Sequence, residues 1–230
     1  MKYFLIALII ALSACTPSDR SKIDSVKNGI FGNYKSITVG QAFDQWQTCD
    51  HSQSKWSLIK TSNGADIVEF TCEVKDVDKL AEILKNEINQ QHDDQIKYLD
   101  KRTLALEQQV QNADSDNDKS FFQERLMKNK DEYASNVQKI NQESDQLQLA
   151  TNINKIVYTS QWLINKDDTF ELSYYGIEYF WQDGVHIENK LKADQLDDVY
   201  QDKNPLFDTA NSTYGFIFVN ILKSLYKEAK

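Results

Sequence analysis

Proline and glycine are scarce in this chain: two prolines, at 17 and 205, and seven glycines in 230 residues. Neither type occurs between 65 and 175. A run without breakers excludes a succession of tight turns and calls for long regular elements instead. Cysteine is sparse too, with copies only at 15, 49 and 72. No Cys-x-x-Cys spacing occurs, so a structural zinc site or a thioredoxin-like redox motif is excluded. No apolar run reaches the about 20 residues that a bilayer crossing needs. Basic residues are outnumbered, 26 against 35 acidic ones, for a net charge of -9. Such a surface repels phosphate backbones and anionic headgroups, which argues against nucleic acid as a partner.

Apolar material is not lacking. The chain is 40% hydrophobic and 11% aromatic, enough for a packed core. Its first residues have a distinct pattern. Met1-Lys2 is a short positive start, and Tyr3 to Leu12 is a ten-residue apolar stretch too short to span a membrane. Small residues at a cleavage position follow. Leu12-Ser13-Ala14-Cys15 resembles the bacterial lipobox. That resemblance covers these four positions and the preceding signal. It implies removal of residues 1–14, attachment of diacylglycerol to the Cys15 thiol and acylation of the new amine. Two or more chains anchor stably, at ~0.8 kcal/mol per buried CH₂, where one binds marginally. In lipoproteins of this type Asp after the cysteine commonly retains the protein at the inner membrane. Thr16 stands there instead, which implies an outer-membrane lipoprotein facing the periplasm. Residues 15–24 read as a lipidated polar tether.

With Cys15 assigned to the anchor, Cys49 and Cys72 remain. They either pair, as two cysteines in an exported protein commonly do, or stay as buried thiols. "ADIVEFTCEV" alternates, with Val68, Phe70, Cys72 and Val74 on one face. Cys72 therefore points inward, toward a helix predicted from about Val39 to Thr48, and this favours the disulfide. Thr38 and Gln41 form a capping box at that helix's start. A strand follows over Trp56–Thr61, and Asn63-Gly64 makes a hairpin turn.

The glycine-free middle reads as two helices. Asp76 caps the first, which carries Leu80, Leu84, Ile88, Ile96, Leu99 and Leu106. Ser120 with Gln123 is a capping box for the second, which carries Leu126, Tyr133, Val137, Ile140 and Leu147. Together they form a long antiparallel helical hairpin over 76–153. "KIVYTSQWLI" and "TFELSYYGIEYFW" are strands, with a bulge or bend expected at Gly176, and Asp183-Gly184 turns into "VHIENKL". A C-terminal helix over 212–228 buries Phe218, Ile221, Leu222 and Leu225. The fold class is thus α+β: an antiparallel sheet with packed helices from residues 25–75 and 154–230, interrupted by the hairpin. The stretch Ile37 to Val74 is also similar in pattern to small BamE/SmpA-like lipoprotein domains.

Catalytic chemistry is weakly signalled. "DSDND" at Asp114, Asp116 and Asp118 starts like a calcium loop, but Lys119 and Arg125 occupy the positions that need Gly and Glu. His51, His92 and His186 fall far apart, without a G-x-S-x-G elbow. No cofactor and no metal are expected. The aromatic series around Tyr174-Tyr175 and Phe180-Trp181 cannot lie on one strand face. Tyr175, Phe180 and Trp181 are taken as a candidate binding surface. The main expectation is a non-enzymatic envelope lipoprotein that acts by binding a protein partner, in an assembly, scaffold or inhibitory role. The alternative is a periplasmic enzyme or small-ligand binder whose site is scattered through the sequence.

Overall fold

The computed structural model describes residues 17–230. Five antiparallel strands form a single meandering sheet in the order β1-β2-β3-β4-β5. They are β1 (Lys55–Lys60), β2 (Asp66–Glu73), β3 (Ile153–Ile164), β4 (Phe170–Trp181) and β5 (His186–Lys190). Helices α1 (Pro17–Lys27) and α2 (Val39–Gln45) precede the sheet, and α5 (Asp197–Tyr200), α6 (Pro205–Ala210) and α7 (Gly215–Ala229) follow it. Between β2 and β3, which are neighbours, stand α3 (Val77–Gln111) and α4 (Asp116–Ala150). An excursion of this length between adjacent strands leaves the sheet register intact, so the hairpin is an insertion in the α+β domain.

One sheet face is packed and the other is open. Val68, Phe70 and Cys72 of β2, Ile156, Tyr158 and Trp162 of β3, and Tyr175, Ile177 and Tyr179 of β4 point into the core. Phe43 of α2 meets Trp56, Phe70 and Trp162 edge-on, with ring centroids 5.0–6.0 Å apart. The expected capping box is present: Thr38 Oγ1 accepts from Gln41 N–H, and the Gln41 side chain accepts from Thr38 N–H. The open face alternates polar groups, as a sheet solvated on one side does. Glu69 accepts from Gln161 at 2.8 Å, and Lys155 lies 3.5 Å from Glu73.

Several local expectations are corrected. The stretch read as a tether is helical from Pro17 onward, because Ile23 and Val26 bury against the domain and α1 packs on β1, β2 and α2. Proline at the first helical position costs no hydrogen bond. Helix α2 stops at Gln45, three residues early. The second hairpin helix starts at Asp116, where Ser115 Oγ accepts from Asp118 N–H; Ser120 and Gln123 lie inside it. Asp76 precedes α3 with a left-handed backbone, φ 58°, and no side-chain cap.

Gly176 is not a bulge. It pairs regularly with Thr159, and the register slips instead at Ser173 and Asn154. Its missing side chain makes room for the Tyr174 ring, which lies across it so that the phenol donates to Glu188. Tyr174 sits on the open face and can swing out. Gly176→Ala is therefore expected to cost about 1–2 kcal/mol, from the lost packing and hydrogen bond of Tyr174. In a Tyr174→Ala background the same substitution should be nearly neutral. Thermal melts of the four proteins in this cycle check it, and equal costs in both backgrounds refute the account.

Candidate functional site

The hairpin is the feature the fold sets apart. Each helix has 35 residues, so each is about 52 Å long at 1.5 Å per residue. The root is part of the core: Leu80, Leu84, Ile88, Leu147 and Ala150 are all nearly inaccessible. Trp181 Nε1–H donates to the Ala150 carbonyl at 2.8 Å, fixing the end of α4 to β4. Helix α7 lies along the root. Its Phe216 lines, with Ile88, His92 and Ile140, a small half-open space of about 20 Å³, room for roughly one water. Lys223 of α7 stands 3.7 Å from Glu143. Past Phe216, among the described residues, the space between the two helices is lined by α3 and α4 alone, and they project together.

Helix register along this arm is set by mixed apolar and polar contacts. Leu106 is buried, and Ile96, Leu99, Val110, Leu126, Tyr133, Val137 and Ile140 are half-buried. Asn129, buried between the helices, donates to Thr103 Oγ1 at 2.8 Å, and Thr103 donates to the Leu99 carbonyl. A buried amide with one matched partner opposes sliding, because any slip leaves it unpaired. Tyr133 donates to Asp100 at 2.6 Å, Lys130 meets Glu107 at 2.8 Å, and His92 Nε2 lies 2.8 Å from Asn141 Oδ1. His92 also has Asp93 3.2 Å from Nδ1. The Asn141 bond, with Asp93 and Asp145 nearby, raises its pKa above the ordinary histidine value.

By the 100° step of a helix, Asn89, Asp100 and Glu107 lie on one edge of α3, and Gln91, Gln95 and Tyr98 on the other. The cross-links of Gln148 with Asn89, Tyr133 with Asp100 and Lys130 with Glu107 all fall on the first edge. The second edge opens as a groove of about 440 Å³, with Leu99 and Ile140 as its floor and Asp94, Tyr98, Asn136 and Lys139 as its lips. Tyr98 is 64% exposed there. Further out, Leu104, Phe121 and Met127 are exposed by 55%, 55% and 67%. An acidic protein that leaves so many large apolar side chains in solvent on one projecting arm has a surface suited to binding.

The residues singled out from the sequence fall differently. Cys49 and Cys72 are joined as a disulfide with Cα atoms 5.5 Å apart, both buried in the core. Cys15 lies outside the described residues. Tyr175 and Trp181 are core residues, 3% and 2% exposed, so they present no surface. The extra residue at Ser173 shifts the alternation of β4 and turns Tyr175, Ile177, Tyr179 and Trp181 inward together. Phe180 alone of the three lies on the open face. His186 stacks on it at 5.6 Å and the Lys155 ammonium lies 4.9 Å from its ring, so its faces are largely covered.

The three histidines stand on separate elements. His51 is exposed in a short turn, His92 is in the hairpin and His186 is on β5. Among the described residues no three His, Cys, Asp or Glu side chains are placed to hold a metal. The "DSDND" stretch is the hairpin tip and the start of α4, where Asp116 and Asp118 suit the helix's positive end. Burial pushes the phenols of Tyr158, Tyr175, Tyr179 and Tyr200 up, and Asp198 beside them is raised for the same reason.

Sequence reasoning missed Tyr98, Ile217 and Ile221. Tyr98 adjoins Leu99 one step off the apolar seam, and that offset is its only signal. Phe218 and Leu222 are buried as expected, but Ile221, also expected inside, is 50% exposed, because α7 turns Val219 and Tyr226 inward beside them. No helix among the described residues is long and apolar enough to cross a membrane. No protein-family model, curated protein or solved structure matches the chain.

Proposed function

We propose that the chain is a lipid-anchored envelope protein, held at Cys15 on the periplasmic face of the outer membrane, that works by binding a protein partner through its hairpin arm. The anchor rests on Leu12-Ser13-Ala14-Cys15, which resembles the lipobox, and on the apolar stretch before it. The arm is the observation that carries the binding role. From Asp94 to the end of α3 at Gln111 it runs about 27 Å. Nothing in the core needs Leu104 and Met127, which point away from the α3–α4 seam and bury little there. Removing them should leave folding unchanged and binding impaired.

Two substitutions test the two halves of this reading. Cys15→Ser is expected to move the protein from the membrane fraction to the soluble one; a variant that stays with the membrane refutes the anchor. Leu104→Glu with Met127→Glu is expected to abolish mild in-cell crosslinking to one specific partner while the melting temperature stays within about 2 °C, as exposed substitutions do. An unchanged crosslinking pattern refutes the arm as the binding element.

A further inference from the structure

The groove on the hairpin and the helix that ends it have complementary shapes. Helix α7 lies along the α3–α4 root and fills the space between those helices up to Phe216. Its N-terminal end points toward the hairpin tip, while Tyr226 near its other end packs on Trp181 at 5.4 Å. Along one side of the hairpin the surface is therefore stepped. A ridge, the back of α7, covers the root, and a groove floored by Leu99 and Ile140 continues beyond it. The ridge carries Ile217, 54% exposed, and Ile221, 50% exposed, one helical turn apart. The groove carries the exposed Tyr98. The ridge is 15 residues or about 22 Å long, and the open part of α3 is about 27 Å.

A two-fold axis perpendicular to the hairpin, passing near Gln95 at the step, places each ridge in the other copy's groove. Two hairpins then lie antiparallel and face to face. Ile217 of each falls near Tyr98 of the other, and Ile221 about 6 Å further along. The contact is isologous and closes as a dimer. Each groove would be filled in the same way that α7 fills its own root, by a helix laid between α3 and α4.

Charge favours the same occupant. The chain carries -9 overall, which opposes self-association at random faces. The lips of the groove carry one acid and one base, Asp94 and Lys139. In the antiparallel arrangement Glu228, at the far end of the ridge, falls toward the outer half of the partner's hairpin, where α4 carries the exposed Lys128. A foreign helix would need to supply this pattern of two aliphatic residues and a trailing acid, whereas the chain already has it beside the groove.

We infer that the groove beyond Phe216 is occupied by α7 of a second copy of this chain, making a two-fold dimer. The inference stands independently of the lipid anchor and of the foreign partner on Leu104 and Met127.

Sedimentation equilibrium of the full chain with Cys15→Ser, from low to high micromolar concentration, is expected to show reversible dimerisation. Tyr98→Glu and Ile217→Glu should each weaken it at least about tenfold, since both remove an apolar contact at the centre of the interface. Glu228→Lys should weaken it and Lys128→Glu in the same chain should restore it. In the Cys15→Ser background, a mixture of Tyr98→Cys and Ile217→Cys proteins should form a disulfide-linked dimer that neither forms alone. A chain that remains monomeric at the highest concentration overturns the inference and leaves the groove to a foreign helix. Dimerisation indifferent to Tyr98 and Ile217 overturns it as well.

Discussion

Trp46→Ala is expected to lower stability by about 3–5 kcal/mol, the range for removing a fully buried large aromatic. Trp46 has no accessible surface and its ring centroid lies 4.8 Å from that of Tyr158. Packing is only part of its contribution. The indole N–H donates to the Lys203 carbonyl at 2.7 Å, and Thr48, also fully buried, donates to the same carbonyl at 3.0 Å. Beside them the Gln47 amide donates to Asp202 at 2.7 Å. These bonds tie the end of α2 to a segment more than 150 residues away, and that segment leads into α6 and α7. Losing the indole therefore opens a cavity and loosens the seat of the C-terminal helices together. For a chain of this size the loss corresponds to a melting temperature lower by roughly 6–20 °C. Trp46→Phe should retain much of the packing and cost about 1–2 kcal/mol, because Thr48 still satisfies the carbonyl. Trp46→Phe with Thr48→Val should cost more than the two single changes combined, since it removes both side-chain donors from the Lys203 carbonyl. Chemical denaturation of the four proteins checks the ordering, and strict additivity sinks the shared-carbonyl account.

The order of elements was legible wherever one periodicity dominated. Period-two alternation in "ADIVEFTCEV" and "KIVYTSQWLI" placed Val68, Phe70, Cys72, Tyr158 and Trp162 inside, and they are. A glycine-free run with apolar residues three and four apart implied two helices, and they are there. What failed had competing local signals or depended on distant packing. Ser115 and Ser120 both precede suitable residues, and the hairpin turn favours the earlier one. Helix α1 is mostly polar, and its contacts with the domain make it worth forming: Ile23 and Val26 in the core, and Lys22 and Lys27 paired with Asp66 and Asp44. One inserted residue at Ser173 reversed the facing of every later residue in β4, so Tyr175 and Trp181 became core while Phe180 stayed outside. The groove was illegible for a different reason. It exists because α7 begins only at Gly215, and no local pattern in "QIKYL" encodes where a helix about 120 residues away will start.

Removing the disulfide, by Cys49→Ala with Cys72→Ala, is expected to cost about 3 kcal/mol, which is what the chain-entropy model assigns to a closed loop of 23 residues. The native contacts around it do not substitute for it. Cys49 bridges Val74 across the sheet end, the Asp50 amide donates to the Glu73 carbonyl at 2.8 Å, and the Lys75 amide donates to Thr48 at 3.0 Å. Those bonds hold the folded state in place, but they dissolve on unfolding and leave the unfolded chain free. Only the covalent link restricts the unfolded ensemble, so its loss appears in full beside intact backbone pairing. Both sulfur atoms lie in the core, so the alanines also leave small cavities, adding to the cost. The melting temperature should fall by roughly 6–12 °C. Reductant should lower the wild-type melting temperature by nearly as much and leave the alanine pair unmoved. The loss should fall on the sheet domain, since β2 carries one cysteine and leads directly into α3. Hydrogen exchange should show β2 and the root of the hairpin opening more readily, while exchange along the free arm changes less, because its bonds are local to α3 and α4. Equal loss of protection along the whole hairpin would mean that arm and sheet unfold as one unit, and would refute the placement of the staple's effect in the sheet.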